Sequence, residues 1–220
     1  MIFEPSPNID ERNEPVCVLV MHYTGMPTAR SAIDLLKSPR SKVSAHYVVD
    51  EDGTIYNLVP EQKRAWHAGI SFWRGVRMLN DASIGIEIVN PGHEWGYRPF
   101  PPEQMRAVLE LSQGIIARHR IEARNVVAHS DIAPDRKQDP GELFDWPWLA
   151  ANGVGLWTQD CDPPGDLRAD LAAIGYDVAL PERDVVLAFQ RHFLPHHLSG
   201  LADAPTAGRA AALRRLVEDG

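Results

Sequence analysis

The sequence predicts an α/β fold, with a mixed central sheet flanked by helices and a small C-terminal three-helix domain. Two observations support this prediction. Short β-branched runs alternate with stretches of helical periodicity up to about residue 155, as expected when helices cover a sheet. Beyond that point only helical patterns follow. We therefore predict a first domain at 1–155, a linker at 156–166 and a helical domain at 167–220.

The N-terminal part of the chain shows a strand, a helix and a hairpin, in that order. The run VCVLVMHY at 16–23 has the length and the valine content of a buried strand. A helix follows, with Thr28 as its N-cap and Pro39 as its stop signal. Two strand-like runs then flank Asp52-Gly53, a dipeptide typical of a tight hairpin turn.

One loop and three regular elements complete the first domain. The aromatic stretch 66–75 lacks periodicity and is predicted to be a loop. The β-branched stretch 82–92 is predicted to be a strand, and it places Glu87 among apolar neighbours. Prolines begin a helix at 101–120, since proline is favoured in the first helical turn. The run NVVAH at 125–129 is the last predicted strand.

The composition changes in the C-terminal segment. Residues 156–166 are rich in Pro, Gly and Asp, which is typical of a linker. Three helical patterns follow, and their apolar residues are expected to form one small core. These residues are Leu167, Leu171, Ile174, Val185, Val186, Phe189, Phe193, Leu213, Leu216 and Val217.

The composition argues against several classes of protein. A formal net charge of −8 gives no electrostatic reason to bind nucleic acid. Cys17 and Cys161 are the only cysteines, so a disulfide framework is not expected. No apolar run approaches the ~20 residues of a membrane span, and the first residues do not resemble a signal peptide. We expect a cytoplasmic protein, or an exported one if a signal peptide has been removed.

Two histidines and an aspartate lie at strand ends or just beyond them. His22 lies at the end of the first strand, and His129 and Asp139 lie in the stretch VVAHSDIAPDRKQDPG at 126–141. A catalytic zinc site uses about three N, O or S ligands and leaves one position open. The spacing of these three residues is not that of a compact metal motif. From the residues alone, the alternative is one buried histidine and two surface groups.

Five motifs, in this order, resemble those of a known family: VMHYTGM, SAHYVVDEDGTIYNLV, WHAG, SIGIEIVN and AHSDIAPDRKQDPG. They closely resemble the zinc-dependent N-acetylmuramoyl-L-alanine amidases of the AmpD and AmiD type, the amidase_2 family. The resemblance covers about residues 14–150 and implies the fold shared with peptidoglycan-recognition proteins. It also implies that His22, His129 and Asp139 bind Zn²⁺.

The resemblance further assigns catalytic roles to Glu87 and Lys137. Zinc lowers the pKa of bound water and polarises a carbonyl, which permits attack on an amide at neutral pH. Glu87 is suited to take the proton of the water and deliver it to the leaving amine. Lys137 would place a positive charge where the oxyanion develops. Without the resemblance, we would assign Glu87 to a structural ion pair and Lys137, beside Arg136, to a solvated charged surface.

Several aromatic and histidine side chains have two interpretations. We assign Tyr23, Trp66 and His67 to substrate binding, with Trp73 as a further candidate for lining a sugar- or peptide-binding groove. The alternative is that the aromatic residues only pack within the fold and that His67 makes an orienting hydrogen bond. His46 alternates with apolar neighbours and is predicted to be a core or supporting histidine, not a fourth ligand.

Two groups of polar residues are not assigned to the site. Asp131 and Asp135 are predicted to remain in a charged loop and to shape it through local backbone hydrogen bonds. His192, His196 and His197 are predicted to lie on the surface, because a proline interrupts their helical turn and no nearby carboxylate completes a site.

These assignments predict an enzyme of cell-wall recycling or turnover. The predicted reaction is zinc-dependent hydrolysis of the amide between N-acetylmuramic acid, including its 1,6-anhydro forms, and L-Ala of the stem peptide. The expected partners are peptidoglycan fragments or polymer. The C-terminal segment resembles a three-helix peptidoglycan-binding domain, and the alternative is a helical appendage that only stabilises the fold or an oligomer.

The sequence has two alternatives to metal-dependent hydrolysis. A non-catalytic peptidoglycan-recognition protein would share the fold but is expected to lose the ligand set, which this sequence retains. A cysteine amidase would need Cys17 or Cys161 beside a base. Neither the apolar strand around Cys17 nor the linker around Cys161 favours a lowered thiol pKa.

Overall fold

A six-stranded sheet forms the centre of the computed structural model, which describes residues 1–219. The strands in chain order are β1 (Ile2–Phe3), β2 (Ile9–Glu11), β3 (Val18–Tyr23), β4 (Tyr47–Val49), β5 (Ile55–Asn57), β6 (Lys63–Ala65), β7 (Phe72–Trp73), β8 (Val76–Arg77), β9 (Ser83–Ile88) and β10 (Val126–Ala128). The central order is β1-β5-β4-β9-β3-β10, and only the β4–β5 hairpin is antiparallel within it. Strands β2 and β6 form one small antiparallel sheet, and β7 and β8 form another.

Helices connect and cover these strands. In chain order they are α1 (Ala29–Leu36), α2 (Gly92–Trp95), α3 (Pro102–His119), a 3₁₀ turn (Ala123–Asn125), α4 (His129–Ile132), α5 (Trp146–Ala151), α6 (Leu167–Ile174), α7 (Glu182–Phe193) and α8 (Ala204–Asp219). The Thr28 side chain accepts a hydrogen bond from the Ser31 backbone N–H, which confirms the predicted N-cap of α1. The predicted α/β class, with a sheet flanked by helices, is confirmed.

The two faces of the sheet bury different partners. One face packs against α3, because side chains two residues apart on a strand point to the same side. The apolar core on this face includes Leu19, Met21, Ile84, Ile86, Ile88, Met105, Val108 and Ile115. On the other face, α1 covers the β4 region, and α6 to α8 cover β3 and β10. The ends of β3 and β9 lie between these two covered areas.

The C-terminal helices share an apolar core with the sheet. This core includes Val18, Val20 and Val127 of the sheet and Leu171, Ile174, Val186, Phe189 and Leu213 of the C-terminal helices. Because this core is continuous, the packing of the C-terminal helices on the sheet contributes to the stability of the whole fold. The boundary at residues 156–166 and the binding of glycan by this segment stay predictions.

The predicted loop at 66–75 is partly wrong, because it contains β7 and the turn into β8. Arg74 and Gly75, the two residues between these strands, both have positive φ values of 48° and 84°. Two successive residues of positive φ are typical of the type I′ hairpin turn, which favours Asn-Gly and similar pairs. An arginine in the first of these positions gave no sequence signal for a turn.

A buried carboxylate in the connection between β5 and β6 supports a prediction about acid stability. Glu61 accepts hydrogen bonds from the Tyr47 hydroxyl (2.7 Å), Arg118 (2.6 Å) and His119 (2.7 Å). Burial opposes ionisation, but these hydrogen bonds outweigh it and lower the pKa of Glu61 to about 2. The stabilisation is complete above the ordinary carboxyl pKa of 4.5 and is lost as the pH falls towards the folded value.

We therefore expect Glu61→Gln to lower the free energy of unfolding by about 2 kcal/mol at pH 7. The difference from the original protein should shrink between pH 5 and pH 2, because the original protein loses this stabilisation on acidification. Denaturant titration of both proteins at several pH values measures this difference. An unchanged difference between the two proteins at pH 7 and pH 3 would contradict this account of Glu61.

Candidate metal centre and active site

Two neighbouring parallel strands place His22 and Glu87 side by side. His22 is the fifth residue of β3 and Glu87 the fifth of β9, and the two are direct partners in the register of the sheet. Partners in parallel strands point to the same face. Both side chains therefore leave the sheet at the carboxyl ends of their strands, where ligand sites of α/β sheets commonly form.

The next strand brings the other two predicted ligands to the same place. His129 is the first residue of α4 and directly follows β10, which pairs with β3. The chain then returns, and the Ser130 backbone N–H donates to the Asp139 carbonyl at 3.0 Å. This closure holds Asp139 beside His129 although ten positions separate them in the sequence.

The ligand atoms of His22, His129 and Asp139 converge on one point. The two Nδ1 atoms lie 2.9 Å apart, and Asp139 Oδ2 lies 3.1 Å from His22 Nδ1 and 3.0 Å from His129 Nδ1. Neighbouring ligands of a tetrahedral ion with bonds of ~2.0 Å are about 3.3 Å apart, so this triangle is close to the required size. All three residues are buried. The structure thus brings together a group that could hold a metal ion.

The protonation states of this group favour a cation. Burial and the neighbouring His129 lower the pKa of His22 to about 4. Burial opposes ionisation of Asp139, but His129 and His22 outweigh it and hold the pKa of this carboxyl below its usual range. At neutral pH, His22 is therefore a neutral imidazole that faces a carboxylate. Lone pairs that converge in this way attract a positive ion.

Hydrogen bonds behind the ligands orient both imidazole rings. His129 Nε2 donates to the Ala68 carbonyl at 3.3 Å, which leaves the lone pair of Nδ1 for the centre. His22 Nε2 donates to His67 Nδ1 at 3.0 Å. His67 Nε2 in turn donates to Ser83 Oγ at 3.2 Å, and this hydroxyl donates to a backbone carbonyl at 2.6 Å. Both ring nitrogens of His67 are therefore used inside the fold.

Gly85 leaves the space that His67 occupies. A Cβ atom at Gly85 would lie 2.5 Å from the His67 ring, so a side chain there would displace the ring. The backbone N–H of Gly85 donates to His46 Nδ1 at 3.1 Å, and His46 Nε2 donates to the Lys63 carbonyl at 3.1 Å. His46 is fully buried and lies outside the metal group, which confirms its prediction as a core histidine.

Glu87 and Lys137 line the same pocket as the three ligands. Glu87 is half-buried, and among residues 1–219 its buried Oε2 atom has no hydrogen-bond partner. Burial first, and then the Asp139 carboxylate, raise the pKa of Glu87 well above its usual range, although Lys137 opposes this shift. A carboxyl group with a raised pKa and a free oxygen is suited to proton transfer.

The pocket has a volume of about 230 Å³. Tyr23, Trp66 and His67, the predicted substrate-binding residues, all line it. Trp66 is held in place by a hydrogen bond from its Nε1 atom to Asp10 at 2.7 Å. Trp73 was a wrong candidate for this groove: it is only 3% exposed and packs in the core that the C-terminal helices share with the sheet.

An apolar wall of the pocket was missed from the sequence. Leu35 and Val43 line the pocket together with Met26, and they are 43% and 38% exposed. Leu35 does not belong to the buried stripe of α1, which consists of Ala29, Ala32, Ile33 and Leu36. An exposed leucine beside a buried helical stripe was the only sequence signal for this wall, and such residues are common on protein surfaces.

Two surface predictions are wrong because α7 packs on α4 and this contact buries one of the residues on each helix. His192 is 2% exposed and lies on α7, where its ring stacks on Trp146 with centroids 3.9 Å apart. Asp131 is 1% exposed, so it is not part of a solvated charged loop. Its predicted local backbone bond is present, since Asp131 Oδ2 accepts from the Ala128 N–H at 2.7 Å. Asp135 is exposed, as predicted.

Neither cysteine is part of the pocket. Cys17 is half-buried, and burial raises the pKa of its thiol, which is the opposite of what a nucleophile needs. Cys161 is exposed in the segment before α6. As for membranes, no helix within residues 1–219 is both long and apolar enough to span one.

The sequence and the structure both match known amidases. The family model described as N-acetylmuramoyl-L-alanine amidase matches residues 12–142. AmiD of Escherichia coli K12 is 43% identical, over 89% of this chain and 81% of that protein. AmpD of the same organism, a 1,6-anhydro-N-acetylmuramyl-L-alanine amidase, is 37% identical over 64% of this chain and 86% of its own length.

Two solved structures agree with most of the fold. The complex of E. coli AmiD with anhydro-N-acetylmuramic acid-L-Ala-D-γ-Glu-L-Lys has a TM-score of 0.82 and 40% identity, and covers 96% of this chain and 90% of its own. AmpDh3 of Pseudomonas aeruginosa with an anhydromuramic pentapeptide has a TM-score of 0.83 and 32% identity, and covers 92% of both chains. The match of the family model over more than half of the chain, together with these likenesses, shows that the chain belongs to the amidase_2 family of N-acetylmuramoyl-L-alanine amidases.

Proposed function

We propose that His22, His129 and Asp139 hold Zn²⁺ and that Glu87 and Lys137 act beside it on a muramoyl amide. The observation that carries this proposal is the convergence of two imidazole nitrogens and one carboxylate oxygen in a pocket that also contains Glu87 and Lys137. Three N and O ligands with one open side are the donor set typical of catalytic zinc. Ca²⁺ and Mg²⁺ would instead require six or more oxygen ligands, or several retained waters.

The chain is an N-acetylmuramoyl-L-alanine amidase and acts in cell-wall recycling or turnover. It hydrolyses the amide between N-acetylmuramic acid and L-Ala of peptidoglycan stem peptides. Zinc, when bound, lowers the pKa of water and polarises the carbonyl of the amide. The other contributions to the reaction come from side chains of the pocket.

Glu87 is the general base and then the general acid in this proposal. Its raised pKa favours acceptance of a proton from the attacking water, and the same proton can pass to the leaving amine of L-Ala. The parallel register holds Glu87 next to His22, so the carboxyl group stays beside the group of ligands. Its free Oε2 atom needs no existing hydrogen bond to be broken before it acts.

Lys137 stabilises the oxyanion that forms during attack. The residue lies two positions before Asp139, is half-buried and lines the pocket. A positive charge in a partly water-free pocket stabilises developing negative charge more strongly than the same charge in water does. The Lys137 ammonium therefore acts mainly in the transition state.

Tyr23 and Trp66 form the aromatic walls of the substrate pocket. Tyr23 OH lies 3.1 Å from His93 Nδ1, which holds the ring at the edge of the pocket. Aromatic faces suit the apolar surface of a sugar ring or the L-Ala methyl group. His67 also lines the pocket, but its two ring nitrogens bind His22 and Ser83, so its main role in this proposal is to orient His22.

Incubation with a defined anhydro-muropeptide tests the reaction. Mass spectrometry should detect a free stem peptide that begins with L-Ala and a sugar product with a free lactyl carboxyl group. Cleavage of glycosidic bonds only, or binding of the muropeptide without cleavage, would contradict the proposal. The second of these outcomes would favour a recognition protein.

The form of the substrate distinguishes recycling from turnover of the polymer. AmiD and AmpDh3 bind anhydro-muramyl peptides in their solved complexes, which supports soluble anhydro fragments as substrates here. We propose such fragments as the preferred substrate and expect faster release from them than from whole sacculi. The cytoplasmic location predicted from the sequence stays a proposal, and fractionation of native cells with an antibody against the chain tests it.

A further inference from the structure

The Asp131 carboxylate lies at the junction between the metal-binding loop and the C-terminal helices. Its side chain has no exposed surface and accepts three hydrogen bonds of 2.7 Å each. The donors are the Ala128 backbone N–H, the Tyr176 hydroxyl and His192 Nδ1. A carboxylate this deeply buried is stable only because donors replace its lost hydration.

Two of the three donors belong to the C-terminal segment, and packing holds both in place. Tyr176 follows α6, and its ring packs edge-on against Trp73 with centroids 5.2 Å apart. His192 is on α7, and its ring stacks on Trp146 and on Phe193 at 3.9 and 3.8 Å. The positions of these donors are therefore determined by the docked helices and not by the loop that carries Asp131.

The third hydrogen bond connects Asp131 to the backbone N–H of Ala128, the residue before His129. Ala128 is the N-cap of α4, His129 is its first residue and Asp131 its third. A helix of four residues is too short to be stable alone, because nucleation is costly and few backbone hydrogen bonds repay it. The single turn that presents His129 therefore depends on contacts from outside it, and Asp131 receives two of these, from Tyr176 and His192.

We propose that Tyr176 and His192 are positioning residues for the metal ligand His129, acting through Asp131. The C-terminal helices then form part of the metal centre of this chain, in addition to any binding of peptidoglycan. The inference rests on the proposed role of His129 as a metal ligand. It assigns to these helices the positioning of a metal ligand. The aromatic and charged residues of the pocket do not have this role.

The variant Tyr176→Phe tests this inference with little disturbance of packing. The substitution removes one hydroxyl and leaves Asp131 with two donors, so α4 should hold His129 less precisely. Outer hydrogen bonds that orient metal ligands typically contribute ~10- to 100-fold to metal affinity. Because Tyr176 acts at one remove from His129, we expect a loss of about 10-fold in Zn²⁺ affinity, measured by competition with a chelator.

Tyr47→Phe is a matched control. Tyr47 is also buried and also donates to a carboxylate, Glu61, at 2.7 Å, but neither residue lines the pocket. Both variants should unfold at a lower temperature than the original protein. Only Tyr176→Phe should weaken Zn²⁺ binding and alter the visible absorption spectrum of the Co²⁺-substituted protein, which reports ligand geometry directly.

Two results would overturn the inference. One is a Tyr176→Phe protein that loses thermal stability as Tyr47→Phe does but keeps its Zn²⁺ affinity and Co²⁺ spectrum. The other is the same outcome for His192→Phe, which keeps an aromatic ring beside Trp146 but removes the Nδ1 donor. If the original protein itself binds no Zn²⁺, the proposed function fails, whereas equal affinity of original and variant proteins refutes only the positioning role.

Discussion

Replacement of Glu87 by glutamine is expected to lower kcat by about 10³-fold while the metal stays bound. Glutamine has nearly the same shape as glutamate but cannot take a proton from water or return it to the leaving amine. The half-buried position of Glu87 beside His22 should tolerate a neutral side chain, since burial already opposes its charge. The rate of stem-peptide release and the zinc content of the same sample measure the two effects.

Glu61→Gln provides the control for this experiment. Glu61 is a buried carboxylate that does not line the pocket, so its replacement should lower stability and leave kcat unchanged in the folded protein. Near-normal turnover of Glu87→Gln with one equivalent of bound zinc would show that another group moves the proton. Loss of zinc from the variant would instead indicate that Glu87 supports the ligands.

Removal of the metal is expected to abolish hydrolysis completely. Without a cation, the group formed by His22, His129 and Asp139 holds no Lewis acid, so the amide carbonyl is not polarised. Dialysis against a chelator should bring stem-peptide release to the background level, and Zn²⁺ should restore it. Mg²⁺ should not, because it prefers octahedral oxygen ligands.

Thermal unfolding provides a second measurement of metal binding. An ion that binds only the folded protein adds about 4 kcal/mol to the free energy of unfolding when its free concentration is 1,000 times Kd. The Tm should therefore rise when Zn²⁺ is added to the metal-free protein, and Asp139→Ala should largely remove this rise. Hydrolysis by a sample shown to be free of metal by elemental analysis would refute the metal mechanism.

Elements with strong local patterns could be predicted from the sequence. The Val-rich run around Leu19, the β-branched run around Ile86 and the Asp52-Gly53 turn all became the expected strands and hairpin. These signals are local, since strand alternation and turn preferences depend on residues close in sequence. The same holds for α3, which begins at Pro102, close to the predicted start, and packs Met105, Val108 and Ile115 on the sheet.

Predictions that depended on distant contacts were less successful. His192 and Asp131 have polar side chains, and both are buried because α7 packs on α4. Trp73 is an aromatic residue near the site in sequence, but it faces the core beneath the C-terminal helices. Each of these side chains is buried by an element that lies more than 40 positions away in the sequence. Local periodicity gives no information about contacts at that separation.

The sequence by itself determined the fold class, the family resemblance and eight of the residues that line the pocket, but not the apolar wall of that pocket. Only the tertiary structure decided that His22, His129 and Asp139 meet within about 3 Å, since this depends on the parallel pairing of β3 with β10 and on the return of the loop. It also decided that Tyr176 and His192 reach the same loop through Asp131. The physical reason is that side-chain chemistry is encoded residue by residue, whereas convergence and burial arise only when distant segments pack together.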